Sequence, residues 1–417
     1  MPPRRKPVKS TAQVLPARPG DITETTIERI VPGGLGLGYG GGRTLFVSRA
    51  AIGDVLRVRV DRDQGRVAHA SIVEVIKPGP DRIEPPFPRL ADCGADFEHL
   101  TYAAQLAAKQ AIIGDCMRRI AGIELLETVP ITPSPEQWHY RVRAEWRLDA
   151  QAEVLGYLRH GSHNVVNIPD DPFVLPQLNE VYKELHQRLV HGGLQDWPKE
   201  IRGAAGDDGV SLSPPLDGET PELVTLEVAG ETYAFDADCF FQVNLSVLDL
   251  LVDEVLKFAP LPGDVLSPAT RKALDLYCGV GLFTVPLARR FELVIGVEAQ
   301  PQAAEFARQN AVAAGLDNVR VETMSVERWL EHAYRTHGRV PFVLLDPPRT
   351  GLPAPAMHGL LRLRPQRIAY VSCDPATLAR DIKALLGAGY ELLDLAAMDM
   401  FPQTHHVETV AHLERVG

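Results

Sequence analysis

Apolar positions recur with different periods along the chain, and each change of period marks a new kind of element. Over residues 21–77 they alternate in short runs at 25–30, 44–47, 55–60 and 67–75. Pro32-Gly33-Gly34, Gly40-Gly41-Gly42, Gly53-Asp54 and Gln64-Gly65 separate them. A period of two bounded by turn residues predicts strands, and this many short strands in so few residues predict a small closed barrel. Residues 78–88 are rich in proline and predict a linker. A helical period follows at 101–120, with Leu106, Ile113, Met117 and Ile120 on one face and Lys109, Arg118 and Arg119 off it. Residues 125–240 mix strands and turns with one helix near 178–189. From Phe241 onward, apolar runs at 273–277, 293–297, 319–322, 342–345, 368–372, 390–400 and 407–413 alternate with helical stretches. That alternation predicts a doubly wound, largely parallel sheet. The expected organisation is thus a tail (1–20), a barrel (21–77), a mixed α+β segment (78–240) and an α/β domain (241–417).

Composition narrows the picture. The 417 residues carry a net charge of −11, from 43 basic and 54 acidic side chains. This argues against bulk non-specific nucleic-acid binding and leaves room for a local basic patch. The first twenty residues hold Arg4, Arg5, Lys6, Lys9 and Arg18 without an acid. They read as a disordered basic tail, either a solvated terminus or an arm that tracks RNA. The five cysteines, Cys93, Cys116, Cys239, Cys278 and Cys373, form no C-x-x-C pair, which fits a reducing cytoplasm. No apolar run suggests a membrane span or a signal peptide.

The chemistry gathers at strand ends. Asp275-Leu-Tyr-Cys-Gly-Val-Gly281 follows the first strand of the α/β part, and Glu298 closes the second. Glycines there let a ligand approach the backbone, and a carboxylate at the second strand end can bind ribose hydroxyls. The full G-x-G-x-x-G is missing, which favours a nucleoside ligand without a diphosphate. Asp346-Pro-Pro-Arg-Thr-Gly351 follows the fourth strand. Its prolines hold the carboxylate and carbonyls in place, in a form also seen where enzymes grip an exocyclic amine. Cys373 follows the fifth strand just before a helix amino end, a position that favours thiolate over thiol, although this stretch alone reads more readily as a small buried hydrophobe. Trp138-His-Tyr-Arg-Val-Arg-Ala-Glu-Trp-Arg147 interleaves aromatics with arginines. It could clamp a single strand or be an ordinary ion-paired face.

Ile30-Val-Pro-Gly-Gly-Leu-Gly36, Thr44-Leu-Phe-Val47 and Gly53-Asp-Val55 resemble a TRAM domain, an RNA-binding barrel of the OB type. Four motifs then stand in order, at Phe241–Asn244, Asp275–Gly281, Asp346–Gly351 and Ser372–Asp381, and Phe401-Pro-Gln-Thr-His-His-Val-Glu408 closes the set. Together they resemble the RNA (uracil-5-)-methyltransferase family, over nearly the whole chain from Thr23. The resemblance implies a Rossmann-like methyltransferase domain behind a TRAM barrel and a mixed central domain. It implies that the helix at 102–120 packs on the catalytic domain, and that the protein works as a monomer. It implies Cys373 as nucleophile and Glu408 as base. Gln242, Tyr277, Gly279, Gly281, Glu298, Ser325 and Asp346 would surround S-adenosylmethionine, with Gln242, Asp346 and Arg349 on the uracil. Ribosomal RNA is the expected substrate, and the alternatives are the tRNA T-loop, amino methylation or a non-catalytic RNA factor. Two departures stand out. Many members hold an iron–sulfur cluster on four cysteines, of which only Cys93 remains here. Phe87, Asp96 and Asp171 stand at the other positions, so no cluster is expected. Leu282 also replaces a frequent polar residue after the second loop glycine, which removes one side-chain contact to the cofactor.

Overall fold

Residues 22–77 close on themselves. β1 (Ile22–Val31), β2 (Leu35–Gly40), β3 (Arg43–Val47), β4 (Val55–Asp63) and β5 (Val67–Lys77) form a closed barrel in the order β1-β2-β3-β5-β4. Ile27, Leu45, Val47, Leu56 and Val58 fill it. This is a computed structural model describing residues 19–149, 151–191, 197–215, 222–260, 271–336 and 340–416. Except for Pro19 and Gly20, the expected basic tail lies outside the described residues. The pattern of apolar positions left out β2, because Leu-Gly-Leu-Gly-Tyr-Gly reads as turn composition. The fold requires those glycines. A Cβ at Gly38 would stand 2.4 Å from Thr25 Oγ1 and 2.6 Å from Thr26 O, and one at Gly36 would stand 2.7 Å from Ala50 Cβ. The strand is glycine-rich because β1 crosses it too closely for side chains.

The barrel with the chain through Pro86 and residues 99–104 is one compact unit, and residues 87–98 with 105–417 are the other. In the second, α1 (Tyr102–Cys116) runs into one π turn, Met117–Ala121. Its buried side is only partly the expected one, with Ile113 and Met117 buried as expected. Gln105, Ala108, Lys109, Ile112 and Ile113 are buried, while Leu106 and Ile120 are half-exposed. Partners explain the rotation. Lys109 pairs with Asp399 and donates to Phe401 O at 3.0 Å. The Gln105 amide donates to Gln403 Oε1 and accepts from Gln403 N, both at 2.9 Å.

After β6 (Ile131–Thr132) come β7 (Arg143–Asp149), β8 (Val154–Leu158), β9 (Val165–Asn167), α2 (Pro176–Val190), β10 (Glu200–Ala205) and β11 (Val210–Ser213). Five of these strands make a sheet ordered β11-β10-β7-β8-β9. α2 covers it with Leu178, Tyr182, Leu185 and Leu189, spaced for one helix face, against Trp146, Leu155 and Ile201. Tyr140 and Trp146 are fully buried, so these aromatics of the 138–147 stretch serve the core and offer no stacking surface.

The α/β part contains the hairpin β12 (Val224–Val228) and β13 (Glu231–Phe235), then α3 (Leu248–Val255), β14 (Lys272–Leu276), α4 (Thr284–Ala288), β15 (Leu293–Glu298), α5 (Pro301–Ala313), β16 (Val319–Thr323), α6 (Val326–Thr336), β17 (Phe342–Leu345), α7 (Ala354–Leu363), β18 (Arg367–Ser372), α8 (Pro375–Leu386), β19 (Tyr390–Met398) and β20 (Glu408–Arg415). The sheet order is β16-β15-β14-β17-β18-β20-β19-β6. β14 to β18 are parallel, and β20 inserts antiparallel between β18 and β19. The strand order reverses at β14, so the switch-point crevice lies at the carboxyl ends of β14 and its neighbours. The hairpin's Leu226, Tyr233 and Phe235 belong to the core under this sheet, although the sequence pattern assigned them to the segment ending at residue 240.

Candidate active site

β18 is buried along its length apart from Arg367 and stops at Ser372. β20 pairs with it antiparallel, with Ser372 opposite Thr409, and Thr409 Oγ1 donates to Ser372 O at 2.8 Å. That register brings the next residue of one strand, Cys373, beside the preceding residue of the other, Glu408. Both line one cavity of about 620 Å³. The Cys373 thiol is pushed up to about 12, chiefly by burial and then by Glu408, with Arg349 opposing. Burial outweighs the thiolate bias expected from α8, and that helix end is already engaged. Asp374 caps that helix, and its carboxylate accepts from Ala376 N and Thr377 N, both at 2.9 Å. Those amino-end N–H groups are spent on Asp374. Burial, with Asp346 adding to it, also raises the Glu408 carboxyl well above its ordinary range.

The cofactor half of the cavity follows β14 and β15. Tyr277 adopts a left-handed φ of 68° after β14, and its N–H donates to Val297 O at 2.9 Å. Its hydroxyl is buried, and burial with the neighbouring Glu327 carboxylate keeps the phenol protonated. Gly279 has open space where a Cβ would stand. The Glu298 carboxylate accepts from Gly279 N at 3.0 Å and Gln300 N at 2.7 Å. Asp346 accepts from Gln242 Nε2 at 3.2 Å, and burial beside Asp275 raises its carboxyl to about 7. Asp275 is itself raised to about 7 by burial and accepts from Thr284 Oγ1, leaving its other oxygen without a partner. An open glycine turn, a buried phenol and several carboxyl groups fit a nucleoside with a cationic tail, as in S-adenosylmethionine.

Of the residues the sequence singled out, Gln242, Tyr277, Gly279, Glu298, Ser325, Asp346, Arg349, Cys373 and Glu408 all line the cavity. Gly281 does not. A Cβ there would stand 3.3 Å from Ala307 Cα, so this glycine lets the loop pack on α5. Leu282 is buried in the core and its carbonyl accepts from Tyr233 at 2.9 Å, so its side chain faces away from the ligand space. Sequence reasoning missed Phe240 and Glu327, which also line the cavity, as does Phe401 at the head of the last motif. Phe240 is 56% exposed, with the Arg143 guanidinium 5.6 Å from its ring centre. Its position two residues before Gln242 was the available signal.

The residues at the positions of the family's cluster ligands do not fit four-thiolate ligation. Phe87 packs edge-on against Trp138, with ring centres 4.8 Å apart. Asp171 accepts from Trp146 Nε1 at 3.0 Å, Tyr157 OH at 2.6 Å and Phe173 N at 3.0 Å. Asp96 is bonded to His405. Burial, then Asp171 and Asp92, push the Cys93 thiol up to about 12.

Residues 222–416 match the family described as tRNA (Uracil-5-)-methyltransferase. The chain is 33% identical to the 23S rRNA (uracil(1939)-C(5))-methyltransferase RlmD of Pectobacterium atrosepticum, over 96% of this chain and 95% of that protein. It is 31% identical to an uncharacterized RNA methyltransferase of Aquifex aeolicus, covering 93% of this chain and 97% of that one. Among solved structures, the tRNA (uracil-54, C5)-methyltransferase of Pyrococcus abyssi, in complex with S-adenosyl-L-homocysteine, has the same fold. Its TM-score is 0.71 at 24% identity, over 94% of this chain and 100% of that one.

Proposed function

The chain belongs to the RNA (uracil-5-)-methyltransferase family, and on that premise we propose that it methylates carbon 5 of a uridine in 23S rRNA through a covalent adduct on Cys373. The observation that carries this reading is the register of β18 and β20, which supports a nucleophile and a base in one cavity. Carbon 5 of uracil is a weak nucleophile, and addition of a thiolate at the neighbouring carbon removes that difficulty. The Cys373 sulfur bonds to carbon 6, and the displaced electron pair moves onto oxygen 4 as an enolate. Arg349, which opposes the rise of the thiol, favours the thiolate for this step. S-adenosylmethionine would supply the methyl group on a cationic sulfur. Once carbon 5 carries the methyl, Glu408 takes its proton, the 5,6 double bond re-forms and the thiolate leaves. Tyr277, Glu298 and Asp346 bind the cofactor, and Gln242, Asp346 and Arg349 orient the base. A paired or stacked uridine must be extruded to reach Cys373, at roughly a few kcal/mol.

Ribosomal RNA is favoured because relatives matching over almost the whole chain carry that activity in their names. The tRNA T-loop is the second reading, favoured by the likeness to the Pyrococcus abyssi fold. Mapping 5-methyluridine in 23S rRNA and tRNA from cells with and without the gene separates them. The chemistry has its own test. Cys373→Ala should abolish methyl transfer and adduct alike, whereas Glu408→Gln should accumulate a denaturation-resistant protein–RNA adduct already carrying the methyl group. Turnover by Cys373→Ala would refute the adduct.

A further inference from the structure

We infer that Asp96 is a positioning residue for the loop that delivers Glu408, and that it acts through His405. The inference rests on the reading of Glu408 as the base. Residues 399–407 join β19 to β20 and end at Glu408. The loop needs anchoring, since Gln403 holds a left-handed φ of 68° that a side chain disfavours. Three anchors act at its start: Lys109 on Phe401 O, Tyr140 OH on Pro402 O at 3.1 Å, and the Gln105 amide on Gln403. Among the described residues, the side chain that reaches beyond Thr404 from outside the loop to grip its backbone is Asp96. One oxygen of its carboxylate accepts from His405 N at 2.9 Å, and the other meets His405 Nδ1. A single group thereby fixes both the backbone and the ring of His405. The adjacent Phe97 N donates to Gln403 O at 2.9 Å, so two consecutive residues hold two alternate loop residues. The His405 ring lies 4.1 Å from that of His406, two residues before Glu408. His406 is held neutral, its pKa pushed down to about 2 by burial and then by the neighbouring cations. Its ring also packs against Phe401, with ring centres 6.0 Å apart, so it is a packing surface that passes the position of His405 along the loop. Asp96 stands at one of the positions where relatives carry a cluster ligand, so a carboxylate tie occupies that place here.

Glu408 is also held by its β-ladder, so losing Asp96 should misplace the base and leave the sheet folded. The test uses the full-length protein, an unmodified 23S rRNA transcript and radiolabelled S-adenosylmethionine. Asp96→Ala should lower kcat by about tenfold to a hundredfold, with KM for S-adenosylmethionine unchanged. A methyl-bearing adduct should accumulate, because elimination slows more than addition. Asp96→Asn should recover most of the rate, since its amide can still accept from His405 N and pair with the ring at Nδ1. His405→Ala should behave as Asp96→Ala does, and it serves as the test if Asp96→Ala fails to fold. A lower melting temperature with both steps slowed together and no adduct would overturn the inference, as would wild-type turnover. Adduct in Glu408→Gln but not in Asp96→Ala overturns the inference alone. Adduct in neither overturns the base reading and this inference with it.

Discussion

At Asp275 the conflict between burial and charge can be measured directly. Its carboxyl is raised to about 7 by burial, although Thr284 donates to it. An acid whose folded pKa exceeds its unfolded value contributes stability below the unfolded pKa of about 4 and loses it as pH rises through 7. Asp275→Asn keeps an oxygen for Thr284 and removes the charge. Its melting temperature should exceed that of the unaltered protein by a few degrees at pH 8, and the gap should shrink as pH falls towards 5. Equal gaps at both pH values would show that the carboxylate carries no such penalty. The same sign governs catalysis. In the proposed mechanism Glu408 and Cys373 both act deprotonated, and both are raised, so the single-turnover rate should climb with pH above 7. Which residues meet in the cavity was legible from motifs in the sequence. Their protonation was not, because burial depends on neighbours distant in the chain. The Cys373 error had a local signal. Asp374-Pro375 is a cap followed by a first-turn proline, and a capped amino end has fewer N–H groups to lend a thiol.

The strands and helices of the α/β part were legible because each is a long apolar run with one dominant face. Two elements were not, and in both a tertiary contact overrides composition. β2 hides behind glycines that exist only because β1 lies against it. The polar side of α1 is buried because the loop before β20 supplies its partners. Lys109 and Asp399 are both fully buried, so removing one leaves the other as an unpaired charge. Lys109→Met should cost about 3–5 kcal/mol, read as a shift in the denaturant midpoint. Lys109→Met combined with Asp399→Leu should cost less than the single change, because the stranded carboxylate goes too. A double variant no more stable than Lys109→Met would show that the loop needs the pair for its shape and not for its charge balance.

On the scale of the whole molecule, a net charge of −11 repels RNA, so affinity must come from local surfaces. The cavity contributes Arg349, which is exposed. The barrel is a second source. Ile27, Leu45, Val47, Leu56 and Val58 belong to one core cluster built from residues of the barrel. On its outside, Phe46 on β3 is paired with His69 on β5, their rings 5.6 Å apart, and His69 is paired with Arg62 on β4. An aromatic, an imidazole and a guanidinium in one cross-strand row suit stacking on bases and binding of phosphate. Arg57 and Arg59 are already matched to acids, Glu24 and Glu74 for the first and Asp61 for the second. Deleting residues 1–77 should therefore weaken RNA binding and flatten its salt dependence, by about 0.7 to 0.9 in slope for each phosphate no longer neutralised. Binding of S-adenosylmethionine should persist, because the residues proposed to hold it all lie outside the deleted segment. Phe46→Ala with Arg62→Ala in the full chain should reproduce part of the loss without removing the barrel. RNA affinity and salt slope unchanged by the deletion would make the barrel a structural appendage and leave the cavity rim as the sole RNA surface.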